Sequence, residues 1–217
     1  MKKITLLVCL LCIAFVNAQD DENNTSDRLT FEKGTQFANA NLSIGTSESN
    51  FSSDTQNTEI SRFDINVNAS YSYAISNNFF IGLGLGYSFS DQEQVNRTNQ
   101  TNVDFSGTTY QIFPYVRYYK GIGKKFGFFI QGETRYSRTI NKEDNRDDVT
   151  RNGYSVGVRP GLVLMLNKNL ALETTIGLLG YSYTDGEDPT NNIETDSSGF
   201  SLSLNTSNLF FGVSYYF

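Results

Sequence analysis

Residues 62–75 read RFDINVNASYSYAI, and their side chains alternate strictly along the chain. Every odd position from Phe63 to Ile75 is apolar or aromatic, and every even position except Ala74 is polar or charged. A period of two residues is typical of a β-strand with one apolar and one polar face. The following stretch, FFIGLGLGYSFS at 79–90, continues the pattern with glycine and serine at most positions of the second face.

The same alternation recurs downstream and predicts eight strands in all. A weaker first strand lies near Gln36–Gly45, and the last one ends at Phe217. The phase of the last strand changes between Leu204 and Leu209, which predicts a β-bulge. The other predicted strands lie near residues 62–75, 79–90, 110–119, 128–137, 154–164 and 170–178. Pro114 and Pro160 fall inside two of these strands, where each proline removes a backbone hydrogen-bond donor.

The connections alternate in length, which indicates an up-and-down meander. Three are short turns, at Ser76–Asn78, Lys120–Lys125 and Asn167–Asn169. The other four are predicted as long loops, which an antiparallel meander gathers at one end. These loops, with 15 acidic and four basic residues in total, are Thr46–Ile60, Asp91–Asp104, Asn141–Asn152 and Thr184–Gly199.

The orientation of the two faces distinguishes a membrane barrel from a soluble, lipocalin-like one. A soluble barrel has its apolar face inside, whereas a transmembrane barrel has it toward lipid. The predicted strands are long enough to cross a bilayer at a tilt, and Phe and Tyr residues collect near both strand ends. We therefore predict an all-β fold, a transmembrane eight-stranded antiparallel up-and-down barrel. Its interior would carry a network of charged side chains: Arg62, Asp64, Arg117, Glu133, Arg135, Arg159 and Glu173.

The N-terminal residues have the pattern of a secretory signal peptide. Lys2 and Lys3 precede an apolar run that ends at Val16, and cleavage is expected before Gln19. The run is short for a membrane anchor, which is the alternative interpretation. We expect residues 1–18 to be the signal peptide, 19–35 a short periplasmic tail and 36–217 the barrel domain. Cys9 and Cys12 both fall in the signal peptide, so the mature chain would contain no cysteine.

Composition argues against several functions. The 217-residue chain has no histidine, so the usual catalytic base and the commonest metal ligand are missing. Loss of two lysines with the signal peptide leaves 15 basic and 23 acidic residues, which disfavours nucleic acid as a partner. The acidic run Asp185–Asp188 and residues 141–148 could bind a divalent cation or be a solvated surface, the latter being more usual. We expect neither enzymatic activity nor a cofactor.

Three stretches resemble the small eight-stranded outer-membrane β-barrel proteins of the OmpA/OmpX-like superfamily, especially those common in Bacteroidota. They are FIGLGLGY at 80–87, FPYVRYY at 113–119 and FGVSYYF at 211–217. The last resembles the signal read by the outer-membrane assembly machinery, with Val213, Tyr215 and Phe217 as its alternating apolar residues. The resemblance implies a monomer in the cell outer membrane, in contact with membrane lipid, lipopolysaccharide and that machinery.

For function, we expect a structural or surface-interaction role through the acidic extracellular loops. The charged interior side chains would plug the lumen as a structural network, because charges in a confined interior must pair or stay hydrated. The alternative is a small porin-like channel for ions or small solutes.

Overall fold

The computed structural model describes residues 28–52, 57–98, 101–143, 148–188, 193–203 and 209–217. The predicted signal peptide lies outside this range, as do residues 19–27 of the predicted tail. None of the described residues belongs to a helix long and apolar enough to cross a membrane. The strands are β1 (Gln36–Ser52), β2 (Asn57–Ser76), β3 (Phe79–Asn96), β4 (Thr101–Gly121), β5 (Phe126–Glu143), β6 (Val149–Met165), β7 (Leu170–Ile176), β8 (Leu178–Asp188), β9 (Ile193–Ser203) and β10 (Leu209–Tyr216).

The strands form a closed antiparallel barrel. β1 to β6 pair in chain order, and β6 continues the wall by pairing with both β7 and β8. β10 lies between β7 and β1, and this pairing closes the ring. β7 with β8 corresponds to the predicted seventh strand, and β9 with β10 to the eighth. The predicted eight-stranded up-and-down barrel is therefore confirmed.

A bulge at Gly177 divides the seventh strand. Gly161 lies opposite Thr175 and Val158 lies opposite Leu179, so the strand gains one residue relative to β6. Gly177 has a φ of 65°, a backbone conformation that glycine adopts without steric cost. The two-residue alternation from Leu170 and Leu172 predicts that Leu178 faces outward. This prediction is wrong, because the extra residue reverses the faces of β8 and Leu179 is the exposed residue. Pro160 lies beside this irregularity, where a strand tolerates a missing donor.

Pro114 lies at a second interruption of the wall. The pairing of β4 with β5 stops after Ile112 and resumes at Tyr115, without a change of register. Pro114 still lies opposite Leu83 of β3. The gap in the β4–β5 ladder accounts for a proline inside a long strand, because proline cannot donate a ladder hydrogen bond.

The phase of the last strand also changes. Phe200 and Leu202 of β9 are exposed at even positions, whereas Val213 and Tyr215 of β10 are exposed at odd ones. The bulge predicted between Leu204 and Leu209 falls mainly on residues 204–208, which lie outside the described residues.

The long loops predicted from the sequence are wrong in extent. β1 runs to Ser52 and β2 begins at Asn57, so most of the predicted first loop is strand. The same holds at the three other sites, where β3, β5 and β8 continue into the acidic segments. Side-chain alternation stops where lipid ends, but backbone pairing continues beyond it. We call the segments 46–60, 91–104, 141–152 and 184–199 the acidic arms. The end of the barrel that carries them is called the arm end, and the opposite end, which carries the short turns, is called the turn end.

The outward face is apolar, as predicted. Leu83, Leu85 and Val156 are more than half exposed, while Arg117 and Glu173 on inward positions are buried. Exposed aromatic rings contact one another near the arm end, with ring centroids 5.6 Å apart for Tyr87 and Tyr110. This arrangement agrees with the aromatic girdle that marks a membrane interface.

The interior is not polar throughout. At the turn end it contains a layer of buried aromatic side chains. The tail residues 28–35 cross this end of the barrel, where the Leu29 and Phe31 backbones hydrogen-bond to the turns at Gly123 and Asn78. The layer consists of Phe31, Phe37, Phe80, Tyr119, Phe129 and Tyr216.

Candidate functional site in the barrel interior

A buried ion pair lies directly above the aromatic layer. Arg117 of β4 donates to a carboxylate oxygen of Glu173 on β7 at 2.7 Å, and both side chains are about 95% buried. Tyr216 donates to the other oxygen of Glu173 at 2.7 Å, and Tyr119 donates to it at 3.0 Å. These elements come from opposite sides of the ring, so the pair ties the barrel together across its interior.

A second charged group lies closer to the arm end. Glu133 of β5 accepts hydrogen bonds from Arg135 at 3.0 Å and from Arg159 of β6 at 2.9 Å. Gln131 connects the two groups, because it accepts from Arg117 at 2.6 Å and donates to Glu133 at 2.8 Å. The buried charges are therefore paired and hydrogen-bonded, as a confined interior requires.

Aromatic rings pack against the two arginines. The Arg117 guanidinium lies 4.1 Å from the ring centroid of Phe129, and that of Arg135 lies 4.1 Å from the centroid of Phe113. Both distances suit cation–π contacts. Each ring fits because it faces a glycine: a Cβ on Gly84 of β3 would overlap the ring of Phe113, and a Cβ on Gly161 of β6 would overlap the ring of Phe129. This accounts for glycine at the inward position 84 of β3.

The remaining space in the charged region is a small polar cavity of about 60 Å³. This volume suits a few water molecules and is too small for an organic solute of ordinary size. Its lining includes Asn68, Ser70, Glu133, Arg135 and Arg159.

The aromatic layer closes the interior below the ion pair. Phe31 stacks on Tyr216 with ring centroids 4.7 Å apart and lies 4.8 Å from the ring of Tyr119. The Phe31 amide donates to the Asn78 side chain at 2.8 Å, and the Phe31 carbonyl accepts from the Asn78 amide at 2.8 Å. The described part of the tail thus forms the floor of the barrel.

A closed antiparallel ring with an apolar outer face and a polar, paired interior is the architecture of an outer-membrane barrel. A family model described as "Outer membrane protein beta-barrel domain" matches residues 6–217. The chain belongs to this family. Its location is accordingly the outer membrane.

The chain is also similar to solved structures of outer-membrane proteins. OprG from Pseudomonas aeruginosa matches with a TM-score of 0.52 and 9% identity, over 86% of this chain and 97% of OprG. The Neisserial surface protein NspA matches with a TM-score of 0.44 and 16% identity, over 87% of this chain and 99% of NspA. A search of curated proteins finds no significant match. The similarity to OprG concerns the fold alone.

The barrel brings together five of the seven residues predicted for the interior network. Arg62 and Asp64 lie apart from them on β2, where they form a separate pair at 3.0 Å with side chains 50% and 33% exposed. The cluster consists of Arg117, Glu133, Arg135, Arg159 and Glu173.

The C-terminal residues lie on the outer wall at the turn end. Val213, Tyr215 and Phe217 alternate with buried Ser214 and Tyr216, and each of the three is about half exposed. The ring of Phe217 lies 6.1 Å from that of Tyr215.

Several interior residues were not predicted as part of the site. Tyr119, Gln131 and Tyr216 have the inward phase of their strands, so alternation could have placed them inside, but not identified their partners. Asn39 donates to Ser214 at 2.7 Å and shares this phase in β1. Phe31 precedes the first strand and has no periodic signal.

A metal centre has no support in the part of the chain that the structure describes. There, no three or more Asp or Glu residues are grouped so that they could hold a metal ion.

Proposed function

We propose that this outer-membrane barrel is a membrane anchor with a sealed interior, and that it acts at the cell surface through its acidic arms. The observation that carries the proposal is the two-part closure of the interior. The hydrogen-bonded group around Arg117 and Glu173 fills the middle, and the aromatic layer capped by Phe31 fills the turn end. Together with the small volume of the polar cavity, about 60 Å³, they support an interior closed to solutes wider than water.

The acidic arms support a role in surface interaction. They contain 15 acidic and four basic residues, and two of the basic ones are engaged within the arms. Arg97 pairs with Glu59 at 2.5 Å, and Lys142 with Asp148 at 3.6 Å. The uncompensated carboxylates favour a partner with positive charge, such as a cationic segment of another surface protein.

The proposed orientation places the arms outside the cell and the tail in the periplasm. Short turns on the periplasmic side and longer connections outside are usual for such barrels. Val213, Tyr215 and Phe217 would be recognised by the assembly machinery during insertion, and the outward apolar face would contact lipid and lipopolysaccharide. We propose a monomer, because the barrel closes within one chain.

Planar-bilayer recording of the purified protein tests the sealed interior. We expect no stable conductance for the wild-type protein. The matched variant combines Phe31→Ala with Arg117→Ala, which removes the cap and the central cation. It should conduct if these residues close the interior. Stable single-channel conductance in the wild-type protein would contradict the proposal.

The second candidate function is a small channel, and the polar cavity beside Arg135 and Arg159 favours it. Those arginines would select anions if the interior opened. The same recording, made with salts of different anions, decides between the two functions. We propose no enzymatic role, because the chain has no histidine and the interior carboxylates are already hydrogen-bonded.

A further inference from the structure

The barrel wall is fully paired only in its turn-end half. β1 pairs with β10 from Phe37 to Leu42, and its remaining residues, Ser43–Ser52, pair with β2 alone. β9 pairs with β8 along its length. Among the described strands, none pairs with the other edge of β9. Two strand edges, Ser43–Ser52 and Ile193–Ser203, therefore face an unpaired opening. We call this opening the seam.

Side-chain exposure gives independent evidence for the seam. Outward residues with a strand on both sides include Val67 at 41% exposed and Leu85 at 60% exposed. At the seam, Leu202 is 62% and Phe200 is 71% exposed. In residues 195–202 both faces of β9 are exposed, as they are in residues 46–52 of β1. Among the described strands, none lies where it would cover these side chains.

The seam begins at the level of the aromatic girdle and continues into the acidic arms. Phe200 lies opposite Tyr181 in the β8–β9 register. Two residues further along β8 is Tyr183, whose ring centroid is 6.4 Å from that of Tyr154 in the aromatic girdle. An open edge presents rows of backbone donors and acceptors, and another strand can pair with them. Proteins usually protect such edges with lysine or proline, yet neither segment contains Lys, Arg or Pro.

Charge identifies the kind of strand that the seam would accept. β8 and β9 contain five acidic residues and no basic ones, and the β1 edge adds Glu48. Pairing the two edges with each other would bring together segments of the same charge. A strand with positive charge would instead satisfy the backbone groups and neutralise the carboxylates.

We propose that the seam binds an extended cationic polypeptide segment by strand addition to the β1 or β9 edge. This inference rests on the surface role proposed above and specifies its partner and its mode of binding. Main-chain hydrogen bonds would supply affinity, and alternating basic side chains would contact the acidic arms.

Two synthetic peptides test strand addition on the full-length protein in detergent. The first, of about 12 residues, alternates Lys and Val, and the second has the same sequence with alternate backbone nitrogens methylated. The methylated peptide keeps the charge and loses the donors along one edge. We expect the first peptide to bind at least ~10-fold more tightly, because several main-chain hydrogen bonds are lost in the second.

A pair of matched variants locates the site. Glu48→Gln with Asp196→Asn removes two charges at the seam. Asp91→Asn with Glu93→Gln removes two charges from β3, which is paired on both sides at these positions. The seam variant should weaken binding of the unmethylated peptide several-fold more than the β3 variant does.

The outcomes separate this inference from the surface role. Equal binding of both peptides, or equal effects of the two variants, would overturn strand addition and leave charge-driven surface binding intact. No binding of either peptide would contradict both. A stable dimer in detergent that excludes the peptides would also overturn the inference, because a second copy would then occupy the seam.

Discussion

At the scale of single residues, Glu173 links three strands through its hydrogen bonds. It accepts from Arg117, Tyr119 and Tyr216, which lie on two other strands. Changing Glu173→Gln keeps the shape and leaves the buried Arg117 without its counter-charge. We expect a loss of roughly 3–5 kcal/mol in the free energy of unfolding, measured by denaturant titration in lipid or detergent.

The control for this prediction is the double variant Arg117→Met with Glu173→Leu. It removes both charges, so it should recover most of the stability lost in the single variant. A single variant as stable as the wild type would show that Arg117 does not depend on Glu173.

Phe31 provides a second residue-level prediction. Phe31→Ala would remove the ring that packs on Tyr216 and Tyr119, and we expect a loss of about 3 kcal/mol in unfolding free energy. The matched control is Thr30→Ala, since Thr30 is exposed and its hydroxyl donates to the nearby Arg28 carbonyl. Equal stability of the two variants would argue against a capping role for the tail.

At the scale of strands, β3 and β5 respond differently to added methyl groups. In β3, a Cβ on Gly84 would overlap the buried ring of Phe113, whereas on Gly132 of β5 its nearest neighbour would be Val116, at 3.5 Å. Gly84→Ala should therefore destabilise the barrel by about 1–3 kcal/mol, and Gly132→Ala should be nearly neutral. Thermal unfolding followed by circular dichroism measures both, and a reversed order would contradict the inward assignment of Gly84.

At the scale of the whole molecule, the orientation in the membrane can be tested by chemical labelling. The only cysteines, Cys9 and Cys12, precede the predicted cleavage site, so introduced cysteines would be unique in the mature chain. Ser49→Cys at the arm end should react with a membrane-impermeant maleimide in intact cells. Lys168→Cys at the turn end should react only after the outer membrane is permeabilised. The opposite pattern would reverse the proposed orientation.

The fold was largely predictable because the residue types on each face of a strand depend on whether that face contacts lipid or the barrel interior. Alternation from Phe63 to Ile75 indicates lipid on one side, and glycine at 82, 84 and 86 indicates crowding on the other. The same signal led to the wrong loop lengths, since it ends with the membrane while β1 continues to Ser52. It also misassigned Leu178, because a one-residue bulge at Gly177 reverses every side chain that follows within the strand.

The interior site was predictable only in part. The inward phase identified Arg117 and Glu173 as interior residues, but their pairing joins β4 to β7, 56 positions apart. Arg62 has the same phase and lies outside the cluster, because phase gives the face of a strand and not the height along the barrel.

The sequence alone determined that this chain forms strands with one face for lipid and one for a narrow polar interior, since the two-residue period depends only on local surroundings. The tertiary structure decided which residues meet inside, that Phe31 closes the turn end, and that β1 and β9 leave a seam. Those features depend on the curvature and closure of the sheet, which bring together residues from distant parts of the chain.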